Sequence, residues 1–246
     1  MTKPLANRIA LVTGGSRGIG QALAVALARE GAHVVATART PGGLEELDDA
    51  IRAAGGTATL VPLEMRDTDG IARLAGALNE RYGRLDILVG NAALGGSTSP
   101  LDHFQAKEWD EVLAVNVTAN WHLIRTMHPL LLRSDAGRVV FMTSNAASNP
   151  RAYRGLYATS KAALEAMART YANETLSTPI KVNLHAPGPT RTRMRAAVAP
   201  GEDPMTLPTA QAVAATIVPL CLPGFQETGK IYDFRAGRLN SFRSPA

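Results

Sequence analysis

Short apolar runs alternate along the chain with longer segments in which apolar residues recur every three or four positions. The first run, residues 9–13, is aliphatic and partly β-branched, which is typical of a strand buried on both faces of a parallel sheet. A glycine-rich turn follows, and then a helical pattern that ends before Gly31. This alternation predicts strands at 9–13, 33–37, 57–61, 86–89, 138–142, 180–185 and 230–234, and helices at 19–29, 44–54, 71–81, 107–132 and 153–176.

The repeated strand–helix units predict the architecture, because a parallel strand needs a crossover connection to reach its neighbour. We expect one α/β domain over residues 1–246, a Rossmann-like, doubly wound parallel sheet of about seven strands with helices on both faces. The length of 246 residues and the 46% hydrophobic content fit this class. Prolines interrupt the pattern between 187 and 208, and we predict that this irregular segment is a lid over the substrate.

Composition and charge narrow the classes of partner. The net charge is +5, but the arginines are dispersed and aromatic residues make up only 5%, so we expect no nucleic acid partner. Apolar stretches fall short of the roughly 20 residues that span a bilayer, so no membrane segment is expected. The single cysteine, Cys221, fits a reducing compartment, and the histidines lack the spacing of a metal site. We therefore expect a cytoplasmic protein without a bound metal.

The turn between the first predicted strand and the first predicted helix is rich in glycine. Glycine lets the backbone approach a pyrophosphate closely, and the helix N-terminus offers free N–H groups and the positive end of its dipole. A position directly after the first strand favours a dinucleotide-binding function over an ordinary loop. The residues expected to contact the cofactor here are Gly14, Ser16, Arg17, Gly18, Ile19 and Gly20.

The end of the second predicted strand indicates which dinucleotide binds. Proteins that bind NAD usually place an acidic residue there to hold the ribose hydroxyls. This chain has Arg39 instead, and Arg17 lies in the glycine turn. Two guanidinium groups near one ribose suit a 2′-phosphate, so we predict NADP(H) as the cofactor. The alternative is that both arginines lie on the solvated surface.

A proton-transfer group is predicted at the start of the helix 153–176. Tyr157 and Lys161 are four residues apart, so their side chains share one helical face. The pKa of a free tyrosine is about 10, and a neighbouring ammonium should lower it. Ser144 ends the fifth predicted strand, where its hydroxyl can bond a substrate oxygen. Asn116, between two valines of the long helix, either faces solvent or holds a water that relays protons to Lys161.

Together these motifs resemble the short-chain dehydrogenase/reductase family over nearly the whole chain. The turn 13–20 is similar to the family's cofactor turn. The segment 90–93, after the fourth strand, is similar to its Asn-Asn-Ala-Gly element. The family's catalytic tetrad is matched in order and spacing by Asn116, Ser144, Tyr157 and Lys161.

The resemblance implies a role for each of these residues. Tyr157 would be the general acid or base, Ser144 would polarise the substrate carbonyl, and Asn116 would hold the relay water. Lys161 would also bond the nicotinamide ribose, and hydride would move to or from the nicotinamide C4. The further cofactor contacts that it implies, beside Tyr157 and Lys161, are Glu64, Met65, Asn91, Ala92, Pro187, Gly188 and Thr192.

Three positions depart from the family pattern. Glu64 stands where the family has an aspartate near the adenine, and Gly90 and Ala93 replace its usual asparagine and glycine. These departures concern the local cofactor geometry rather than the chemistry.

The family is usually tetrameric through its long fifth and sixth helices, so a homo-oligomer is expected. Packing within one chain explains the small residues of the later helix equally well. These small residues are Ala158, Ala162, Ala166 and Ala172.

The predicted activity is hydride transfer between NADP(H) and a ketone, a 3-oxoacyl group or the corresponding secondary alcohol. Two alternatives stay open. One is a non-catalytic NADP(H)-binding sensor or scaffold, which has no need of a complete tetrad. The other is an NAD-linked alcohol dehydrogenase, which the missing acid disfavours. Several loop arginines have two interpretations: they bind an anionic substrate, or they lie on the solvated surface. They are Arg151, Arg154, Arg191, Arg193 and Arg195.

Overall fold

The computed structural model describes residues 3–242 and arranges them around one sheet of eight strands. These are β1 Ile9–Thr13, β2 His33–Ala38, β3 Thr57–Pro62, β4 Ile87–Gly90, β5 Arg138–Met142, β6 Lys181–Ala186, β7 Lys230–Asp233 and β8 Arg238–Ser241. Their order across the sheet is β3-β2-β1-β4-β5-β6-β7-β8. Neighbouring strands are parallel except for β7 and β8, which form an antiparallel pair. The predicted α/β fold is confirmed.

Helices cover both faces of this sheet. Within residues 3–242 they are α1 Gly18–Arg29, α2 Pro41–Ala53, α3 Thr68–Tyr82, α4 Ala106–Leu113, α5 Ala119–Leu131, α6 Gly155–Glu174, α7 Arg193–Val198 and α8 Ala210–Cys221. Helices α1, α2 and α8 pack on one face, in a core that includes Leu23 and Ile217. Helices α3, α5 and α6 pack on the other face, in a core that includes Leu74 and Leu164.

The central strand β1 contributes to both cores. Ile9 and Leu11 enter the core of α3, α5 and α6, whereas Ala10 and Val12 enter the opposite core. This division arises because successive side chains of a strand point to opposite faces of the sheet. The strand is therefore apolar at every one of these positions, which is why it appears in the sequence as a continuous apolar run.

The strand order places a crevice between β1 and β4. From β1 the chain first winds outward through β2 and β3, and then returns to β4 on the other side. The loops that follow β1 and β4 therefore diverge at the carboxyl edge of the sheet, which is where open α/β sheets bind ligands.

The long predicted helix 107–132 is interrupted. Helix α4 ends at Leu113, residues Ala114–Thr118 form a π-helical turn, and α5 follows directly. A π-turn changes the hydrogen-bond partner from the fourth to the fifth residue along the chain, which the spacing of apolar residues does not show. This turn carries Asn116, so the irregularity lies at a predicted site residue.

Three elements have no counterpart in the sequence prediction. Helix α7 lies within the segment 187–208, which was predicted to be irregular, so that segment is partly helical. Helix α8 is apolar around most of its circumference, so it lacks the polar face that marks an amphipathic helix. Strand β8 is short, and its Arg-Leu-Asn-Ser sequence contains no apolar run. It adds an antiparallel edge to the seven predicted parallel strands.

One stretch of the described chain, Pro204–Cys221, has the length and mean hydropathy of a membrane span by composition alone. It is not one regular helix, because a 3₁₀ turn at Pro204–Thr206 precedes α8. Helix α8 itself has 12 residues, fewer than the roughly 20 that cross a bilayer. Residues such as Val213 and Ile217 bury its inner side in the core, as in a core helix.

Candidate active site

A cavity of about 740 Å³ lies at the carboxyl edge of the sheet. Its volume is within the range of about 300–1,000 Å³ that is usual for ligand pockets. Most of the predicted site residues line it: Gly14, Ser16, Arg17, Gly18, Ile19, Gly20, Arg39, Glu64, Met65, Asn91, Ala92, Tyr157, Lys161, Pro187 and Thr192. Of the predicted site residues in the described chain, Asn116, Ser144 and Gly188 do not line it.

Glycines form the part of the wall that follows β1, because a side chain would not fit there. Gly14 has φ +67°, and a Cβ on it would lie 3.0 Å from the Cα of Ala92. A Cβ on Gly20 would lie only 2.3 Å from the carbonyl oxygen of Gly14. Helix α1 begins at this turn, so its first N–H groups are available to an anion in the cavity.

Asn91 holds this turn in place. Its Nδ2 donates to the carbonyl oxygens of Thr13 at 2.8 Å and of Gly14 at 3.2 Å. The hydroxyl oxygen of Thr13 in turn accepts the N–H groups of Asn91 and Ala92, each at 3.0 Å. The loop after β4 thus fixes the shape of the loop after β1. Asn91 lines the cavity as predicted, and it also orders the glycine turn.

Arg39 lies in the cavity wall after β2, but it is not an isolated charge. Its Nη1 lies 3.8 Å from a carboxylate oxygen of Glu64, and that oxygen also lies 3.7 Å from Arg66. The departure at Glu64 therefore gives Arg39 a counter-ion, which the sequence did not indicate. The same wall contains the Thr37 hydroxyl, which is buried and has no hydrogen-bond partner within residues 3–242.

Lys161 is buried in the wall of the cavity. Its side chain is 2% exposed, and its Nζ donates to the carbonyl of Met142 at 2.7 Å. Burial lowers the pKa of Lys161 from 10.5 to about 8, and the negative charge of Glu165 opposes this decrease. The lysine is therefore protonated at neutral pH and close to its titration point.

The predicted pairing of Tyr157 with Lys161 is found, since the ammonium lies 5.7 Å from the centroid of the phenol ring. The predicted direction of the Tyr157 pKa is wrong. Burial raises this pKa above 10, while the Ser144 side chain and the charge of Arg154 oppose the increase. Residue spacing predicts which groups are neighbours, but desolvation depends on what covers them. Tyr157 is consequently a protonated phenol at neutral pH.

Asn116 is fully buried behind the cavity wall, so it does not face solvent. Its Nδ2 donates to the carbonyl of Leu94 and to the hydroxyl of Ser160, both at 2.9 Å. Its Oδ1 accepts the N–H of Leu94 at 2.8 Å. Asn116 thus ties the π-turn to the loop after β4 and to α6, and these bonds engage its side chain directly with protein groups.

The departure from the family pattern at Gly90 has an explanation in packing. A Cβ at this position would lie 2.4 Å from Oδ1 of Asn120 and 2.4 Å from a ring atom of Phe141. Asn120 is itself held by its Nδ2, which donates to the Asn116 carbonyl at 2.9 Å. The larger residue that the family has here would therefore collide with groups that support the site.

The sequence did not single out Glu165, which lies one helical turn beyond Lys161. It is 9% exposed, and its Oε1 accepts the hydroxyl of Thr143 at 2.7 Å. Burial raises the pKa of Glu165. Met142 and Thr143, at the end of β5, therefore hold the lysine and the carboxylate respectively. The spacing of four residues between Lys161 and Glu165 was the available indication.

The three arginines of the segment 187–208 make different contacts. Arg191 donates to the carbonyls of Pro204 at 2.8 Å and of Leu207 at 3.3 Å, so it stabilises the segment itself. Arg195 forms a salt bridge with Glu202, at 2.6 Å for one of its bonds. Arg193 is exposed and lines the cavity. Two of these three charges are therefore engaged within the segment.

Comparisons with known proteins show the family to which the chain is similar. A family model for short chain dehydrogenases matches residues 8–203. An uncharacterized oxidoreductase of Escherichia coli, YciK, is 37% identical over 95% of this chain and 94% of its own length. The rhamnolipids biosynthesis 3-oxoacyl-[acyl-carrier-protein] reductase of Pseudomonas aeruginosa is 40% identical over 82% of this chain and 80% of its own length.

Solved structures show the same fold. A short chain dehydrogenase of Shigella flexneri, complexed with NADP, has a TM-score of 0.89 and 35% identity. That match covers 96% of this chain and 100% of the other. A short chain dehydrogenase of Escherichia coli, complexed with NADPH, has a TM-score of 0.86 and 36% identity over 96% of this chain and 99% of the other.

The fold, the cavity at the carboxyl edge of the sheet and the similar proteins together define the class of this protein. It is an oxidoreductase built on a Rossmann-like sheet. Within that class, the chain belongs to the short-chain dehydrogenase/reductase family.

Proposed function

We propose that this protein is an NADP(H)-dependent reductase of carbonyl substrates, with Tyr157 as the proton donor. The main support is that Tyr157 and Lys161 line the same cavity as the glycine turn. A phenol whose pKa is raised by burial is protonated at neutral pH, which suits a donor in the reductive direction.

The residues present fit a dinucleotide. Gly14 and Gly20 bring bare backbone to the cavity wall, and a Cβ on either would collide with protein atoms and so distort the turn that a pyrophosphate needs. The unpartnered hydroxyl of Thr37 offers a polar group at the wall after β2. Arg17 and Arg39 would bind the 2′-phosphate that distinguishes NADP(H) from NAD(H).

The other end of the cofactor would lie near the predicted tetrad. Lys161 would bond the nicotinamide ribose, and the Pro187 to Thr192 loop would hold the carboxamide. Gly188, in this loop, has φ +65°, and a Cβ on it would lie 3.0 Å from the Arg235 side chain. When bound, the reduced nicotinamide supplies the hydride.

The chain's own residues would move the proton. Tyr157 donates its proton to the substrate oxygen as negative charge develops there, and the Ser144 hydroxyl bonds the same oxygen. The ammonium of Lys161 stabilises the phenolate that remains. The relay water on Asn116 stays a prediction.

The experiment for the proton donor compares Tyr157→Phe with Tyr153→Phe, because Tyr153 lies four residues earlier and is 58% exposed. A panel of ketones and 3-oxoacyl thioesters with NADPH provides the assay. We expect Tyr157→Phe to lose about 10²–10⁴-fold in kcat, the usual contribution of a general acid, while NADPH still binds. We expect Tyr153→Phe to match the unmodified protein. Turnover that survives Tyr157→Phe would remove Tyr157 from this role.

The panel also separates the catalytic hypothesis from the sensor hypothesis. A protein that binds NADPH with micromolar affinity and turns over none of the panel supports the sensor or scaffold. The 3-oxoacyl thioesters are included because a relative that is 40% identical is a 3-oxoacyl-[acyl-carrier-protein] reductase.

Cofactor choice is tested by fluorescence titration of the protein with NADPH and with NADH. We expect tighter binding of NADPH, and we expect Arg39→Ala to weaken NADPH binding by about 10- to 150-fold, because a charge-assisted hydrogen bond contributes about 1.5–3 kcal/mol. NADH binding should stay unchanged in that variant. Equal affinities of the unmodified protein for both cofactors would favour the NAD-linked alternative.

We propose in addition that residues 187–208 act as a lid, since Pro187, Thr192 and Met194 line the cavity. A small-molecule substrate enters under this segment. A homo-oligomer in the cytoplasm, without nucleic acid or membrane partners, stays a prediction.

A further inference from the structure

Tyr157 has a second cation beside its ring. The guanidinium carbon of Arg154 lies 5.2 Å from the ring centroid, and the ammonium of Lys161 lies 5.7 Å from it. Both distances are within the roughly 6 Å over which an aromatic ring attracts a cation. Arg154 is therefore as close to the phenol as the lysine that the family motif contains.

Arg154 is fixed by the elements around it. It is the residue immediately before α6, and its Nη2 donates to the carbonyl of Gly95 at 3.2 Å. Gly95 belongs to the loop after β4 and lines the cavity. Arg154 thus connects this loop to the start of the helix that carries Tyr157. A charge held between two elements needs little reorganisation when charge develops on the phenol.

Arg154 is half-buried, and part of its guanidinium lies away from water. Its Nη1 is buried and has no hydrogen-bond partner within the described part of the chain. Burial lowers the pKa of this guanidinium, the charge of Arg195 acts in the same direction, and Tyr157 acts in the opposite one. An apolar side chain of similar size would pack here without an unpartnered donor. The arginine therefore indicates a role other than stability.

The other polar groups around Arg154, Tyr157 and Lys161 are uncharged or have partners of their own. Ser144 lies two residues after β5, and its uncharged side chain opposes the increase in the pKa of Tyr157. Arg195 of α7 is paired with Glu202. Glu165 of α6 accepts the hydroxyl of Thr143 and lies beyond Lys161. This leaves the guanidinium of Arg154 and the ammonium of Lys161 as the charges at the ring itself.

We propose that Arg154 is a positioning residue for Tyr157, which holds the phenol ring and stabilises the phenolate that forms during proton transfer. In that step the O–H bond of Tyr157 breaks, an O–H bond forms on the substrate oxygen, and the electron pair stays on the phenol oxygen. Arg154 exchanges no proton. The step itself rests on the proposed function, but the effect of Arg154 on the Tyr157 phenol does not need a substrate.

The substrate-independent test uses the protein labelled with 3-fluorotyrosine, whose phenol is more acidic than that of tyrosine. The ¹⁹F resonance that is missing from Tyr157→Phe belongs to residue 157, and its titration is followed against pH. In Arg154→Gln, which keeps a donor for the Gly95 carbonyl but removes the charge, the midpoint should move to higher pH. It should stay near the original value in Arg154→Lys and in the control Arg151→Gln, because Arg151 is exposed.

The second readout is the pH profile of carbonyl reduction. Loss of the cation makes Tyr157 a weaker acid that keeps its proton to higher pH, so the alkaline limb of the profile should move to higher pH in Arg154→Gln. Its kcat should fall by about tenfold, which corresponds to a cation–π interaction of about 1.4 kcal/mol. Arg154→Lys should recover most of this loss.

An unchanged ¹⁹F midpoint in Arg154→Gln would overturn the inference, whatever happens to turnover. If that variant does not fold, Arg154→Met is measured in the same way and decides by the same criterion. A shifted midpoint in a protein that reduces none of the panel would support the effect of Arg154 on Tyr157 and would count against the proposed function. The two failures are therefore distinguishable.

Discussion

Lys161 carries a charge into a part of the protein where a charge is costly. The carbonyl of Met142 takes one of its donors, and Glu165 supplies a negative charge one turn further along α6. These contacts only partly offset the loss of water, since the pKa still falls to about 8. We infer that the residue is present for its chemistry, because a lysine in this position makes the fold less stable at neutral pH.

The pH dependence of stability tests this view of Lys161. The pKa is about 8 in the folded chain and 10.5 as its ordinary value, so between these limits the unfolded state binds more protons. Rising pH through this window should therefore stabilise the fold. The difference in free energy of unfolding between the unmodified protein and Lys161→Met should increase by up to about 3 kcal/mol across it. Urea denaturation of both proteins at several pH values measures this difference, and a constant value would contradict the assignment.

At the scale of elements, the glycine turn and the π-turn position the site together. Thr13 and Asn91 join the loops after β1 and β4, and Asn116 joins the second of these loops to α6. The bonds between the two loops involve backbone groups and so fix main-chain shape, whereas the bond from Asn116 to α6 joins two side chains. The elements that carry Tyr157 and the glycine turn are thereby held against one another.

The glycine turn after β1 has no room for a side chain at Gly20, and a matched pair of variants tests this. Gly20→Ala places a Cβ 2.3 Å from the Gly14 carbonyl, so it should abolish NADPH binding and lower the free energy of unfolding. Gly76→Ala is the control, since an added Cβ there has nothing within 4 Å and the residue lies inside α3. It should stabilise the protein by about 0.5–1 kcal/mol and leave binding unchanged. Thermal unfolding and NADPH titration measure both effects.

At the scale of the whole molecule, the small residues of α6 divide into two groups. Ala158 and Ala172 are buried within the chain, at 5% and 1% exposure, so packing inside one chain accounts for them. Ala162 and Ala166 are exposed, one helical turn apart. Of the two explanations that the sequence left open, packing within one chain therefore accounts for the inner pair, and the outer pair is the one available for a helix contact.

This division gives an assembly prediction. If the outer face of α6 joins two subunits, Ala166→Arg should reduce the assembly to smaller species, because a long charged side chain prevents close helix contact. Ala72→Arg, on the exposed face of α3, is the matched control and should leave the assembly intact. Light scattering coupled to size-exclusion chromatography reads the mass directly. An assembly that is unchanged in Ala166→Arg would place the contact elsewhere.

The sequence by itself determined the order of strands and helices, the crevice at the glycine turn and the pairing of Tyr157 with Lys161. These features depend on short-range spacing: an apolar run predicts a buried strand, and four residues make one helical turn. The same reasoning predicted one continuous helix at 107–132. The structure has a π-turn at Ala114–Thr118, which the spacing of the apolar residues does not reveal. Spacing gave no indication of the helices α7 and α8, nor of β8, which lacks an apolar run.

Only the tertiary structure decided the electrostatics of the site. The raised pKa of Tyr157 follows from what covers the phenol, and the counter-ion of Arg39 is a residue 25 positions away in the sequence. The contact between Arg154 and the Tyr157 ring needed the fold of the loop before α6. Spacing along a chain fixes which side chains share a face, whereas desolvation and charge pairing depend on residues that come together only when the chain folds.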